Sequence, residues 1–85
     1  MNKVKKKGQG RPRRSETGLD LAVLGERIRK LRGERTQEVF AGLMGVSQAQ
    51  LSKYELGQSA PPLGFIARLA RDSGRSVDWI LMGKE

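Results

Sequence analysis

The segment Thr36 to Gly57, TQEVFAGLMGVSQAQLSKYELG, restricts the fold more than any other stretch of this 85-residue chain. Phe40, Ala41 and Met44 recur at helical spacing and belong on one inward face. Thr36 precedes them as a candidate N-cap. Gly45 follows them; without a Cβ it can take the positive φ that ends a helix. Val46 then plugs the corner, and Ser47 caps a second short helix. Each residue of that helix advances about 100° around the axis. Leu51, Tyr54 and Glu55 therefore share a side with Ser47, whereas Ala49, Ser52 and Lys53 point outward, flanked by Gln48 and Gln50. The spacing predicts two short helices joined by a tight glycine turn, the second with a polar outer face.

The flanks continue the pattern. Leu21, Leu24, Ile28 and Leu31 form a helical core stripe, with Asp20 as its N-cap and Gly33 as its stop. Arg27, Arg29, Lys30 and Arg32 enrich its C-terminal half, where cations suit the helix dipole. A fourth helix begins near Pro62, since proline suits the first helical turn. Leu63, Ile66, Ala67, Leu69 and Ala70 are its expected buried face, with Phe65 beside them, and Gly74 ends it. Ser76 caps a fifth helix from Val77 to about Met82, closed by Gly83. Gly33, Gly45, Gly57, Gly74 and Gly83 thus mark helix ends or the loops just beyond. Gly25, Gly42 and Gly64 fall inside helices, each at a cost of about 1 kcal/mol against alanine. Close helix packing and tolerated weakness are both open as reasons.

Composition removes whole classes of function. The chain has no cysteine and no histidine, so the usual zinc sites and nucleophile–base pairs cannot be assembled and no metal site is expected. Nine carboxylates are scattered among basic neighbours, with no phosphate-cradling glycine loop and no G-x-S-x-G elbow. No enzyme activity, cofactor or small-molecule ligand is expected. No run of 18 apolar residues exists, and the basic start lacks the apolar stretch of a secretory signal, so a cytoplasmic protein with no membrane partner is expected. One small domain accounts for the length, and a core of this size gains from a partner subunit.

The net charge is +8. Residues 1–14 hold Lys3, Lys5, Lys6, Lys7, Arg11, Arg13 and Arg14 and no acid. Ten basic and nine acidic residues remain for the rest, which is nearly neutral. With Gly8, Gly10 and Pro12 interleaved and few apolar residues, the tail is expected to be disordered when free. Residues 1–18 are accordingly expected to form a flexible basic arm and 19–85 a folded domain. The arm is suited to neutralising phosphates, and otherwise acts as a solvated tail that aids solubility.

Taken together, the segment 36–57 resembles the core of the Cro-type and phage-repressor family of helix-turn-helix proteins, also called XRE-type regulators. The resemblance extends to LGERIRKLR (Leu24 to Arg32) as the first helix, APPLGFIARLAR (Ala60 to Arg71) as the fourth and SVDWILMG (Ser76 to Gly83) as the fifth. It implies an all-α fold: a compact five-helix bundle of the phage-repressor helix-turn-helix type, preceded by a disordered basic N-terminal arm. It also implies a sequence-specific DNA-binding repressor or regulator, usually a homodimer on a two-fold operator, whose third helix enters the major groove. Double-stranded DNA is then the partner. In the family, residues at the start of the third helix and one turn later face base edges; here these are Gln48, Ala49 and Lys53, with Gln50 and Ser52 nearby. Their chemistry agrees: glutamine can bond adenine N6 and N7, alanine can lie against a thymine methyl, and lysine can reach guanine or a phosphate. A hydrated helix face is the plain alternative for each. Gln37 matches a family glutamine that contacts the DNA backbone and buttresses the base-reading one. Ser47, Gln58 and Ser59 are further phosphate candidates, together with Arg11, Arg13 and Arg14 of the arm. Gly10 to Arg14, GRPRR, resembles the core of an AT-hook, which lies in a narrow A·T-rich minor groove, although Gln9 stands where such hooks carry another arginine.

The family also pairs a first-helix arginine with a glutamate late in the third helix. The equivalents are Arg32 and Glu55, and an inward Glu55 needs such a partner to offset its desolvation. This chain departs from the pattern in its short Gly33–Glu34–Arg35 link, in Gly42 where a charged residue is common, and in the i,i+4 apolar pair Val39 and Leu43. That pair is either extra core or a contact surface. At the C-terminal end Trp79 and Ile80 cap the core, and Trp79, Leu81 and Met82 are candidate dimer contacts. Three alternatives to a repressor stay open: a DNA-binding antitoxin or restriction-modification controller of similar length, a protein-interaction module on the same fold, and non-specific nucleoid or RNA binding. A chain of this length is expected to have no room for a ligand-sensing or self-cleaving domain; being the DNA-binding part of a longer regulator stays open.

Overall fold

In the computed structural model, which describes residues 19–84, five helices follow one another: α1 (Leu21–Arg32), α2 (Gln37–Met44), α3 (Gln48–Glu55), α4 (Leu63–Ser73) and α5 (Val77–Met82). Local chemistry sets most of their ends. The Asp20 carboxylate accepts from the Ala22 and Val23 amides, Thr36 Oγ1 from Val39 N and Ser76 Oγ from Trp79 N. Ser47 and Gln50 form a reciprocal capping box at the start of α3. Gly45 sits at φ 76°, ψ 28°, the left-handed conformation that reverses the chain between α2 and α3. α4 differs: its N-cap is Pro62, whose side chain offers no hydrogen bond, so the proline stands just outside the helix rather than in its first turn.

The helices close on one core. Ile28, Phe40, Leu51, Leu69 and Ile80, one from each helix, are fully buried. Each such side chain contributes about 1.5–3 kcal/mol of transfer free energy. Tyr54 meets Phe65 edge-on, with ring centroids 5.1 Å apart and an interplanar angle of 68°. Leu21, Leu31, Val46, Ala70, Trp79 and Leu81 pack partly buried around this centre. α1 lies against α3 and α5, α2 against α3 and α4, and α4 against α5.

Two expectations change. The buried face of α4 consists of Phe65, Ile66 and Leu69, whereas Leu63 is 82% exposed and Ala67 is exposed. At about 100° per residue, the true stripe is turned roughly 100° toward Phe65. The Phe65 ring is 2% exposed and packs edge-on against Tyr54, which places it inside the core. Val39 and Leu43 are not extra core: they are 55% and 51% exposed.

The interior glycines separate into two kinds. A Cβ on Gly25 would fall onto the Glu55 carbonyl oxygen and lie 2.6 Å from that of Tyr54, so Gly25 is where α1 and α3 touch backbone to backbone. A Cβ on Gly42 or Gly64 would meet nothing within 4 Å. Close packing explains the first, and nothing in the fold requires the other two.

Candidate nucleic-acid interface

α3 is anchored by its inner face, where Leu51, Tyr54 and Glu55 are buried. Its opposite face presents Gln48, Ala49, Gln50 and Lys53 to solvent, with Ser52 half-buried beside them. Among the described residues, the side chains of Gln48, Ser52 and Lys53 make no hydrogen bond or ion pair, leaving their donors and acceptors available. Gln50 is less available: its Oε1 accepts from Ser47 N at 3.3 Å, which leaves its amide NH2 and one lone pair of that oxygen. The Ser47 hydroxyl oxygen accepts from Gln50 N at 3.1 Å, and its O–H can still donate outward. Gln58 is exposed in the loop after α3, and Ser59 is half-buried. Arg11, Arg13 and Arg14, with the whole arm, lie outside the described residues.

A polar network fixes the angle at which α3 is held. Arg32, in the last turn of α1, donates from Nε to Glu55 Oε2 at 2.8 Å and from Nη2 to Oε1 at 3.1 Å. Gln37, the first residue of α2, donates from Nε2 to the same Oε1 at 3.0 Å. One buried carboxylate therefore joins α1, α2 and α3. Arg32 also donates from Nη1 to the Arg35 carbonyl at 2.8 Å. Arg35 returns the favour, donating to the carbonyls of Arg32 and Leu31 at 3.0 and 2.9 Å. The Arg35 guanidinium also pairs with Asp72 of α4 at 3.2 Å and stands 4.6 Å from the Phe40 ring centroid. The short link between α1 and α2 is thus stitched by two arginines: Arg35 satisfies the Leu31 and Arg32 carbonyls at the end of α1, and Arg32 satisfies the Arg35 carbonyl in the link.

Sequence reasoning did not single out Arg35 or the Gln37–Glu55 bond. It also missed Arg27, which donates from Nη1 to the carbonyls of Ile80 and Leu81 at 3.1 and 3.2 Å and so caps α5 from α1. No sequence signal marks such a bond, because its partners are 53 and 54 residues away. At the C-terminal end Trp79 and Leu81 are half-buried against the core, Met82 is exposed, and the Arg75 guanidinium lies 4.1 Å from the Trp79 ring centroid.

Known proteins share this fold. A helix-turn-helix domain family model matches residues 23–78. A curated relative, the SPbeta prophage-derived uncharacterized HTH-type transcriptional regulator YonR of Bacillus subtilis (strain 168), is 32% identical over 63 residues. That match takes in 72% of this chain but spans only 58% of the relative's length. Among solved structures, the P22 c2 repressor in complex with a synthetic operator superposes with a TM-score of 0.66 at 28% identity, covering 72% of this chain and 96% of that one. The restriction-modification controller protein C.AhdI from Aeromonas hydrophila superposes at 0.64 with 30% identity, covering 73% and 93%. By the residues that match and the fold they share, the chain belongs to the helix-turn-helix domain family, among the phage-repressor-like, XRE-type transcriptional regulators.

Proposed function

We propose that this protein is a sequence-specific transcriptional repressor that binds a palindromic operator as a homodimer, with α3 in the major groove. The observation that carries this reading is the outer face of α3, where Gln48, Ala49 and Lys53 stand exposed on a helix locked from behind. In the groove Gln48 bonds adenine in bidentate fashion, Ala49 lies against a thymine methyl, and Lys53 reaches guanine or a phosphate. Ser52 and the Gln50 amide assist. Gln37 keeps one N–H beyond its bond to Glu55 and donates it to a phosphate, as do Ser47 and Gln58. The basic arm adds salt-dependent attraction through Arg11, Arg13, Arg14 and the lysines before them. The likeness to a repressor crystallised with a synthetic operator supports the reading.

Trp79, Leu81 and Met82 are the proposed dimer contacts, and the protein acts in the cytoplasm without catalysis. The likeness to C.AhdI supports a second reading, a restriction-modification controller, which uses the same interface and differs in the genes it governs. Selection from a random duplex pool with the purified protein tests the proposal. A palindromic site with half-sites about one helical turn apart is expected; binding random duplexes as tightly as any selected one would remove it.

A further inference from the structure

A second surface lies along α2 and α4 and uses none of the residues assigned to DNA. Val39 and Leu43 stand one turn apart on α2, each about half exposed. Gly42 beside them carries no side chain, and a Cβ there would meet nothing within 4 Å. The apolar strip is therefore open rather than shielded by its own helix. A groove of about 310 Å³ adjoins it, lined by Leu43, Met44, Arg68, Arg71 and Asp72. Arg68 and Arg71 lie one turn apart on α4 and are exposed. Among the described residues neither has a hydrogen-bond or carboxylate partner. The single acid in the groove, Asp72, is already engaged by Arg35. The Arg68 guanidinium lies over the end of α2, its Nη1 3.2 Å from where a Cβ on Gly45 would stand.

We propose that this groove docks an acidic amphipathic helix of a partner protein. Two apolar side chains at i,i+4 match the apolar stripe of a helix laid in a groove. Two unpaired guanidinium groups on one rim match carboxylates flanking that stripe and steer its approach. A DNA backbone would satisfy the arginines but leave Val39 and Leu43 without use, since phosphates and sugars offer them no apolar partner. The occupant is therefore a polypeptide, and the site stands whether or not α3 reads bases.

The probe is a synthetic helical peptide with leucines at i,i+4 flanked by glutamates, titrated into the uniformly 15N-labelled full-length protein. A scrambled peptide of the same composition is the control, because the basic arm attracts any acidic chain. Saturable shifts at Val39, Gly42, Leu43, Arg68 and Arg71 are expected, with the scrambled peptide at least tenfold weaker. The R68E/R71E double variant and the L43S variant, all at exposed positions, are each expected to lose at least tenfold in peptide affinity and to keep duplex binding. Equal response to both peptides, or shifts confined to the arm, would overturn the proposal. So would weakened duplex binding by R68E/R71E, which would make the groove a DNA contact, or conversion of a dimer to a monomer by L43S, which would make it a seam between copies.

Discussion

Arg32 and Glu55 face each other through two N–H···O bonds of 2.8 and 3.1 Å, and this pair ties the end of α1 to the last residue of α3. The glutamate side chain is 4% exposed and the arginine 16%, so neither charge is well hydrated. Removing one partner of such a pair leaves the other buried without compensation, at a cost of about 3 kcal/mol or more. Glu55→Gln is therefore expected to destabilise the fold by about that amount in urea unfolding. Arg32→Ala is expected to cost at least as much, because it strands the more buried charge. Unchanged stability in Glu55→Gln would mean the pair is not a clamp.

The glycines permit a test of packing against propensity. In a helix interior alanine is favoured over glycine by about 1 kcal/mol. Gly42→Ala is expected to gain roughly that, since its added methyl meets open space. Gly25→Ala is expected to lose about 1–3 kcal/mol despite the same propensity gain, because the methyl pushes α1 off the backbone of α3. Thermal unfolding of the two variants side by side reads the difference; a shift of the same sign in both would contradict the close contact.

Arg35 and Asp72 separate an ion pair from a cap. Their bridge is partly exposed and contributes about 0–1 kcal/mol, so Asp72→Asn is expected to change stability by less than about 1 kcal/mol. Arg35→Ala removes that bridge, two bonds to carbonyls of α1 and the contact with the Phe40 ring. At about 1 kcal/mol per hydrogen bond the expected loss is about 2–3 kcal/mol. Equal costs for the two variants would show that the carbonyl bonds contribute nothing.

On the proposed interface, Gln48→Ala is expected to relax discrimination by about 1–3 kcal/mol at one operator position and to leave the others intact. Competition binding against operators changed one base pair at a time provides the measurement. A uniform loss across all sequences would make Gln48 a backbone contact.

Deleting residues 1–14 removes seven positive charges. If all seven meet phosphates, the log–log salt dependence of binding flattens by about 6, from roughly 0.9 per phosphate. A slope unchanged by the deletion would take the arm out of the interface.

The division between what was legible and what was not follows the range of the forces. Thr36, Ser47 and Ser76 cap their helices through atoms at most three residues away, so their roles can be read from spacing alone. The same holds for the five glycines expected at helix ends, all of which have φ between 68° and 76°. The inward face of α3 was readable too, because Leu51, Tyr54 and Glu55 fall on one arc with no competing apolar arc opposite them. In α4 two arcs compete, one through Leu63 and Ala67 and one through Phe65 and Leu69, and spacing does not rank them.

By itself, then, the sequence determined where helices start and stop, which face of α3 turns outward and that Glu55 requires a cation, since each follows from contacts within a turn or two of chain. Only the tertiary structure decided the roll of α4, the use of Arg27 on α5 carbonyls, the linking of Gln37 to Glu55 and the unpaired state of Arg68 and Arg71. The Arg27 and Gln37 bonds join groups 18 to 54 residues apart, and the energy of any such tertiary contact exists only once the competing arrangements have been compared in three dimensions.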